Sequence, residues 1–311
     1  MKPHPLSLSI YVPLALSLLA TPLPSLDDPQ VVVPAPGAGP GNWAGAASAV
    51  LVDGVTWLTY RVRRPLPDGR GIATVVARSA NGVDFEPVCE VYRDDFGAES
   101  FERPVVLRRP DGGWRLYLSC ATPDSKHWWI EALDADTPEA LAGGSRTVVL
   151  PGDDTVAVKD PVITIEDGRW QLWVCCHPLT EPGHEDRMRT AYCTSADGLQ
   201  WQWHGDVLTP TAGSWDQRGA RVTAVLRKEP LSVAYDGRAT AEDNWHEVTG
   251  IAYGDGDQLA ASASGPVARS PHSDGAFRYL SAVALPDGRT RFYFEAARPD
   301  GAHDLLTSIS D

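Results

Sequence analysis

The sequence predicts an all-β fold: a five-bladed β-propeller with four antiparallel strands per blade. Three observations predict it. A strand–turn–strand unit recurs along the chain, its turns keep a near-constant spacing, and turn formers and indoles are both abundant. The 311 residues hold 28 Gly, 26 Pro and 11 Trp beside only 2 Met and 6 Phe. That balance suits short strands joined by tight loops rather than helices.

The units follow in order. Ser48-Ala49-Val50-Leu51-Val52 leads through Asp53-Gly54 into Thr56-Trp57-Leu58-Thr59-Tyr60. The second is Glu102-Arg103-Pro104-Val105-Val106-Leu107, a turn at Asp111-Gly112-Gly113, and Trp114-Arg115-Leu116-Tyr117-Leu118. The third is Lys159-Asp160-Pro161-Val162-Ile163, Asp167-Gly168 and Trp170-Gln171-Leu172-Trp173-Val174. In the fourth, Thr223-Ala224-Val225-Leu226 passes through Lys228-Glu229-Pro230 to Leu231-Ser232-Val233-Ala234-Tyr235. The fifth is Ser281-Ala282-Val283-Ala284-Leu285, Asp287-Gly288 and Arg291-Phe292-Tyr293-Phe294. Alternating strands around an Asp-Gly turn read as hairpins. The landmarks at 53, 111, 167 and 287 fit one period, with two units in the last interval.

Further strands lie between the hairpins. Ala77-Arg78-Ser79-Ala80-Asn81-Gly82-Val83-Asp84-Phe85 matches Cys193-Thr194-Ser195-Ala196-Asp197-Gly198-Leu199-Gln200-Trp201 position for position. Two more strands per hairpin complete each blade. Residues 304–309 form a third strand without a fourth, which Val31-Val32-Val33 is expected to supply, closing the last blade at the N-terminus. Trp57, Trp114 and Trp170, which recur at one second-strand position, are expected to face the core, as is Trp173.

Residues 27–311 read as one propeller domain. Residues 1–26 read either as a signal peptide or as a non-functional extension. Lys2 and His4 precede an apolar run, but Pro13 interrupts it and Leu18 sits poorly for cleavage after Ala20. Cytoplasmic and secreted locations therefore both stand. No other run approaches membrane length, so no membrane partner is expected. The 27 Lys+Arg against 41 Asp+Glu give a net charge of −14, which excludes a nucleic-acid partner for the surface as a whole. Cys89, Cys120, Cys175, Cys176 and Cys193 have neither disulfide nor zinc spacing and read as small buried hydrophobes. No metal and no cofactor is predicted, and a monomer is expected.

In a propeller the first strand of each blade lines the central channel. Aligning the strand cores places Ala44, Glu102, Lys159, Arg221 and Arg278 at one level, then Gly45, Arg103, Asp160, Val222 and Tyr279. Charges there must be paired or functional, because isolated buried ones cost several kcal/mol. One reading is an ion-pair network plugging the channel. The other is a polar pocket with two carboxylates among cations, which separates the pKa of an acid from that of a base. Strand-two ends add Arg61, His177, Asp236, Arg238 and Glu295 to the same mouth. Loops add His127, Trp128 and Trp129, then 185–187, and Trp215 with Asp216. Indoles beside carboxylates suit a sugar ring, so a small polar or anionic ligand, a sugar above all, is the expected partner.

The Glu102-Arg103-Pro104 and Lys159-Asp160-Pro161 strand starts, with the Ser-Ala-Asn/Asp-Gly segments, resemble the five-bladed glycosidase superfamily. It comprises glycoside hydrolase families 43, 32, 62 and 130: arabinanases, xylosidases, fructosidases and β-mannoside phosphorylases. The resemblance covers residues 30–311. It implies a glycoside-cleaving enzyme with Glu102 as general acid and Asp160 as a base or pKa-tuning carboxylate. In the first unit, Asn42-Trp43-Ala44-Gly45 carries no carboxylate where families 43 and 32 keep a base or nucleophile. The blade order of Glu and Asp is also reversed from theirs. Three alternatives follow. Asp236 or Glu295 supplies the missing carboxylate; or phosphate attacks, held by Arg103, Lys159, Arg221 and Arg278; or the scaffold binds, or does other chemistry.

Overall fold

Twenty strands build the computed structural model, which describes residues 21–255 and 258–310. The apolar run within residues 1–20 lies outside the described residues. Strand β1 (Gln30–Val33) comes first. A four-strand meander follows: β2 (Trp43–Val52), β3 (Val55–Arg63), β4 (Gly71–Ser79) and β5 (Glu86–Tyr92). The second meander is β6 (Val105–Arg108), β7 (Trp114–Ala121), β8 (Trp128–Ala135) and β9 (Ser145–Leu150). The third is β10 (Val156–Glu166), β11 (Arg169–Pro178), β12 (Arg189–Ser195) and β13 (Gln202–Leu208). Next come β14 (Gly219–Arg227), β15 (Leu231–Arg238), β16 (Val248–Gly254) and β17 (Leu259–Ala261). Last are β18 (Phe277–Ala284), β19 (Thr290–Ala297) and β20 (His303–Ser310).

The second, third and fourth meanders are separate four-stranded antiparallel sheets. The first and last merge into an eight-stranded sheet, joined by one parallel bridge between Trp43 and His303. Strand β1 pairs antiparallel with β20, Gln30 opposite Thr307, so the two chain ends share a sheet as the sequence predicts. The first strands pack in a ring: β2 on β6, β6 on β10, β10 on β14, β14 on β18, and β18 back on β2. The whole is all-β and propeller-like.

Hydrophobic clusters fill the space between neighbouring sheets. In one, Trp170 and Leu172 of β11 meet Tyr117 of β7 and Ile130 of β8. Trp57, Trp114, Trp170 and Trp173 are all buried. The register moves Trp57 one place off the other two, because Thr59 pairs with Ser48 whereas Trp173 pairs with the equivalent Val162. With period two, one residue reverses the face, and Trp57 meets Trp114 across the sheet interface at 4.8 Å.

The paired Ser-Ala-Asn/Asp-Gly segments clamp neighbouring meanders together. Ser79 Oγ accepts the Asn81 and Gly82 N–H groups, and Asn81 Oδ1 accepts those of Val83 and Asp84. Ser195 and Asp197 repeat the pattern. The turn needs a left-handed residue, supplied by Gly82 at φ 74° and Gly198 at φ 72°. Tyr293 Oη then donates to Gly82 O at 2.9 Å, and Tyr117 Oη to Gly198 O at 2.8 Å. The two tyrosines hold equivalent second-strand positions, which explains why the segment recurs where it does.

Candidate functional site

The first strands β2, β10 and β18 carry a bulge near their start. Register slips between Gly45 and Ser48, Lys159 and Val162, and Arg278 and Ser281. The bulged residues Ala46, Asp160 and Tyr279 share a positive φ of 54°, 54° and 55°. Such backbone in non-glycine residues is held by its surroundings and clusters at functional sites. Matched at this bulge, the first unit moves by one residue from its sequence alignment. Gly45, not Ala44, is level with Glu102, Lys159, Arg221 and Arg278, and Ala46, not Gly45, is level with Asp160. The glycine makes room, because a Cβ on Gly45 would lie 2.0 Å from Glu295 Oε2.

Opposite this level, the second strands present Arg61, Ser119, Cys175, Asp236 and Glu295. The two levels interlock into one buried network. Arg221 donates to Asp160 at 2.9 Å, to Asp236 at 2.7 Å and to Tyr279 Oη at 2.9 Å. Arg278 pairs with Glu247 at 2.7 Å and Glu295 at 2.9 Å. Arg61 pairs with Glu102 and, at 3.1 Å, with Glu295. Arg238 pairs with Glu247 at 2.7 Å, and His303 Nδ1 lies 2.7 Å from Glu295. Asp160, Asp236 and Glu295 have no solvent exposure, whereas Glu102 keeps 8%.

Burial pushes the Asp160 carboxyl up, but Lys159 and Arg221 beside it and the Arg103 N–H hold it at about 2. Burial raises Asp236 against the opposing pull of Arg221. Glu295 and Glu247 are held low by Arg278 despite burial. Burial and the nearby Lys159 push His177 down to about 3. Its Nδ1 faces Glu185 O at 2.6 Å, and its Nε2 lies 3.4 Å from Cys175 Sγ. Buried, lowered histidines destabilise the fold in acid, because the unfolded chain takes up their protons first. The stability should therefore fall from pH 6.5 downward, by up to about 1.4 kcal/mol per pH unit for each such histidine. The paired carboxylates add a second loss below about pH 4, as pH falls toward the folded value of Asp160. Urea unfolding between pH 8 and 4 tests this; a flat profile from pH 7 to 5 contradicts a neutral, half-buried His177.

Above the network opens a pocket of about 470 Å³. Of the residues named from sequence, Trp128, Lys159, His177, Glu185 and Asp186 line it. Trp128 is buried, with Lys159 Nζ 4.7 Å and the Arg70 guanidinium 5.6 Å from its ring. Asp160, Asp236, Arg61, Arg221, Arg278 and Glu295 lie in the network rather than on the wall. Arg103 lines a different cavity. His127 contacts Thr122 Oγ1 at 2.7 Å, outside the pocket wall. Trp215 tilts onto Tyr235, whose hydroxyl donates to Asp216.

Three contributors escape the sequence reading. Glu247 bridges Arg238 and Arg278, His303 backs Glu295, and Trp245 is an indole 37% exposed at the pocket rim. Arg63 lies 5.1 Å over Trp245 and 3.9 Å over Trp43, fixing that rim.

No protein-family model matches the chain, and no curated protein matches its sequence. Solved structures do match. A thermostable family-43 glycoside hydrolase aligns with TM-score 0.70 at 15% identity, over 90% of this chain and 91% of that one. The α-L-arabinofuranosidase from Lactobacillus brevis aligns at 0.65 and 14%, over 86% and 90%. The β-1,2-mannobiose phosphorylase from Listeria innocua aligns at 0.59 and 14%, over 88% and 90%. The chain thus shares the fold of the glycosidase propellers.

Proposed function

We propose that the chain is a five-bladed propeller that acts on a glycoside, with the sugar seated in the mouth pocket. The eight-stranded sheet is read as two blades meeting at the Trp43–His303 bridge. One observation carries the functional reading. The pocket combines the exposed Trp245 with Lys159, Glu99 and Asn244, a stacking face beside groups that bond hydroxyls. Glu102 is the candidate carboxyl for protonating the leaving oxygen, being the network acid that keeps solvent contact. Asp160, held by Lys159 and Arg221, is the candidate tuning carboxylate, and Asp236 anchors Arg221. Lys159, Lys126 and Arg70 on the wall could take a phosphate in a phosphorolytic variant of the reaction.

A second reading, sugar binding without cleavage, is favoured by the guanidinium that holds each of Glu102, Asp160, Asp236 and Glu295. An oligosaccharide and aryl-glycoside panel, with and without phosphate, tests the proposal. Release in one arm supports cleavage and identifies hydrolysis or phosphorolysis. Calorimetric binding without release favours the second reading, and neither binding nor release removes both. Trp245→Ala should weaken the sugar about 3- to 10-fold, the value of one aromatic contact. An unchanged Kd would take Trp245 out of the site.

A further inference from the structure

The ring of first strands has a second opening, at the hairpin-turn end. A cavity of about 330 Å³ lies there, and β2, β6, β10, β14 and β18 all contribute to its wall. The wall is mostly aliphatic, with Ser48, Thr164, Thr223 and Ser281 supplying hydroxyls; those of Thr164 and Thr223 already donate to Gln171 Oε1 and Ala234 O. One charged side chain reaches it from the network side. Arg103 is 2% exposed, and among the described residues no carboxylate forms an ion pair with its guanidinium. Nη2 makes one long donation, 3.4 Å to Leu280 O, and Nε and Nη1 have no partner.

Every other guanidinium in the network is paired. Arg61, Arg221, Arg238 and Arg278, with Lys159, pair with Glu102, Asp160, Asp236, Glu247 and Glu295. Six cations counting Arg103 therefore face five carboxylates; Arg63, also buried and without an ion pair among the described residues, lies at the mouth rim over Trp43 and Trp245. The surplus charge sits on the residue that reaches the cavity. An uncompensated buried charge is costly, and an anion within hydrogen-bond reach offsets that cost. Burial already pushes Arg103 down to about 10, which still leaves it a cation at neutral pH.

We propose that the turn-side end of the channel is an anion site in which a single small monovalent anion of halide size seats against Arg103. Size and charge argue for a halide. One surplus charge matches one negative charge, and the aliphatic wall offers too few donors for the oxygens of a phosphate dianion. The cations at the cavity rim, Arg108 and Lys228, are neutralised by Asp53 and Glu166, so they add little to the charge within. The site is independent of the mouth pocket, and its test needs no sugar.

Thermal unfolding in sodium bromide is compared with sodium gluconate at equal ionic strength, for the full chain and for Arg103→Met. The native chain should melt on the order of 3 °C higher at bromide tenfold above its Kd, and Arg103→Met should lose that difference. Crystals soaked in sodium bromide should show one anomalous peak at the Arg103 guanidinium. That measurement decides the matter even if Arg103→Met does not fold. Absence of the peak, or a bromide effect that survives in a folded Arg103→Met, overturns the proposal. A larger stabilisation by phosphate than by bromide also overturns it, in favour of an oxyanion.

Discussion

Arg221→Met should be the most destabilising single substitution in the network, costing about 4 kcal/mol or more in urea unfolding. Removing one partner of a buried ion pair costs about 3–5 kcal/mol, because the other charge is left unpaired. Arg221 is shared by Asp160 and Asp236, both without solvent exposure; its loss leaves Asp236 with no cation and Asp160 with Lys159 alone at 3.6 Å. Arg278→Met is the internal comparison. There Glu247 keeps Arg238, and Glu295 keeps Arg61 and His303, so the loss should be smaller. Adding Asp236→Asn to Arg221→Met should recover part of the stability, since it removes one stranded charge. A loss below about 1 kcal/mol for Arg221→Met, or a larger one for Arg278→Met, would contradict the network as the source of rigidity at the channel.

Much of this architecture is legible in the sequence because the hairpin repeats. Asp53-Gly54, Asp167-Gly168 and Asp287-Gly288 mark turns whatever the flanking side chains do, and so the strand pairs and the closing β1 can be read directly. Position within a strand is less legible. The same bulge interrupts β2, β10 and β18 and so does not tell the units apart, and the run of small apolar residues through the first one gives no landmark for its register. Ala44 and Trp57 therefore stand one place from the residues with which the sequence pattern matches them. Glu247 and His303 were missed for a different reason. They stand at the starts of third strands, β16 and β20, whereas the comparison across units ran over first and second strands. A charged residue just ahead of Val248 and a histidine opening β20 were the available signals. Trp245 sits in a loop that no repeat position predicts.

The network also bears on how Glu102 should behave. On the proposed glycoside cleavage, Glu102→Gln should lower turnover by about 10²–10⁴, the range expected when a positioned proton donor is lost. The amide keeps the shape of the carboxyl, and Arg61 retains Glu295 at 3.1 Å, so the variant should still fold. KM should change little, since the pocket wall is made by Trp128, Lys159, Trp245 and their neighbours. Asp160→Asn should also slow the reaction, but by a different route. It removes the charge beside Lys159 at 3.6 Å and weakens the hold on Arg221 at 2.9 Å, so it should lower stability as well as rate. The paired outcomes separate a reacting group from a positioning one: rate loss at constant stability for Glu102, and rate loss with destabilisation for Asp160. Unchanged turnover in both variants would remove the carboxylates from the chemistry. The buried network would then be a structural plug beneath a sugar-binding mouth, which is the arrangement its fourfold Arg pairing already resembles.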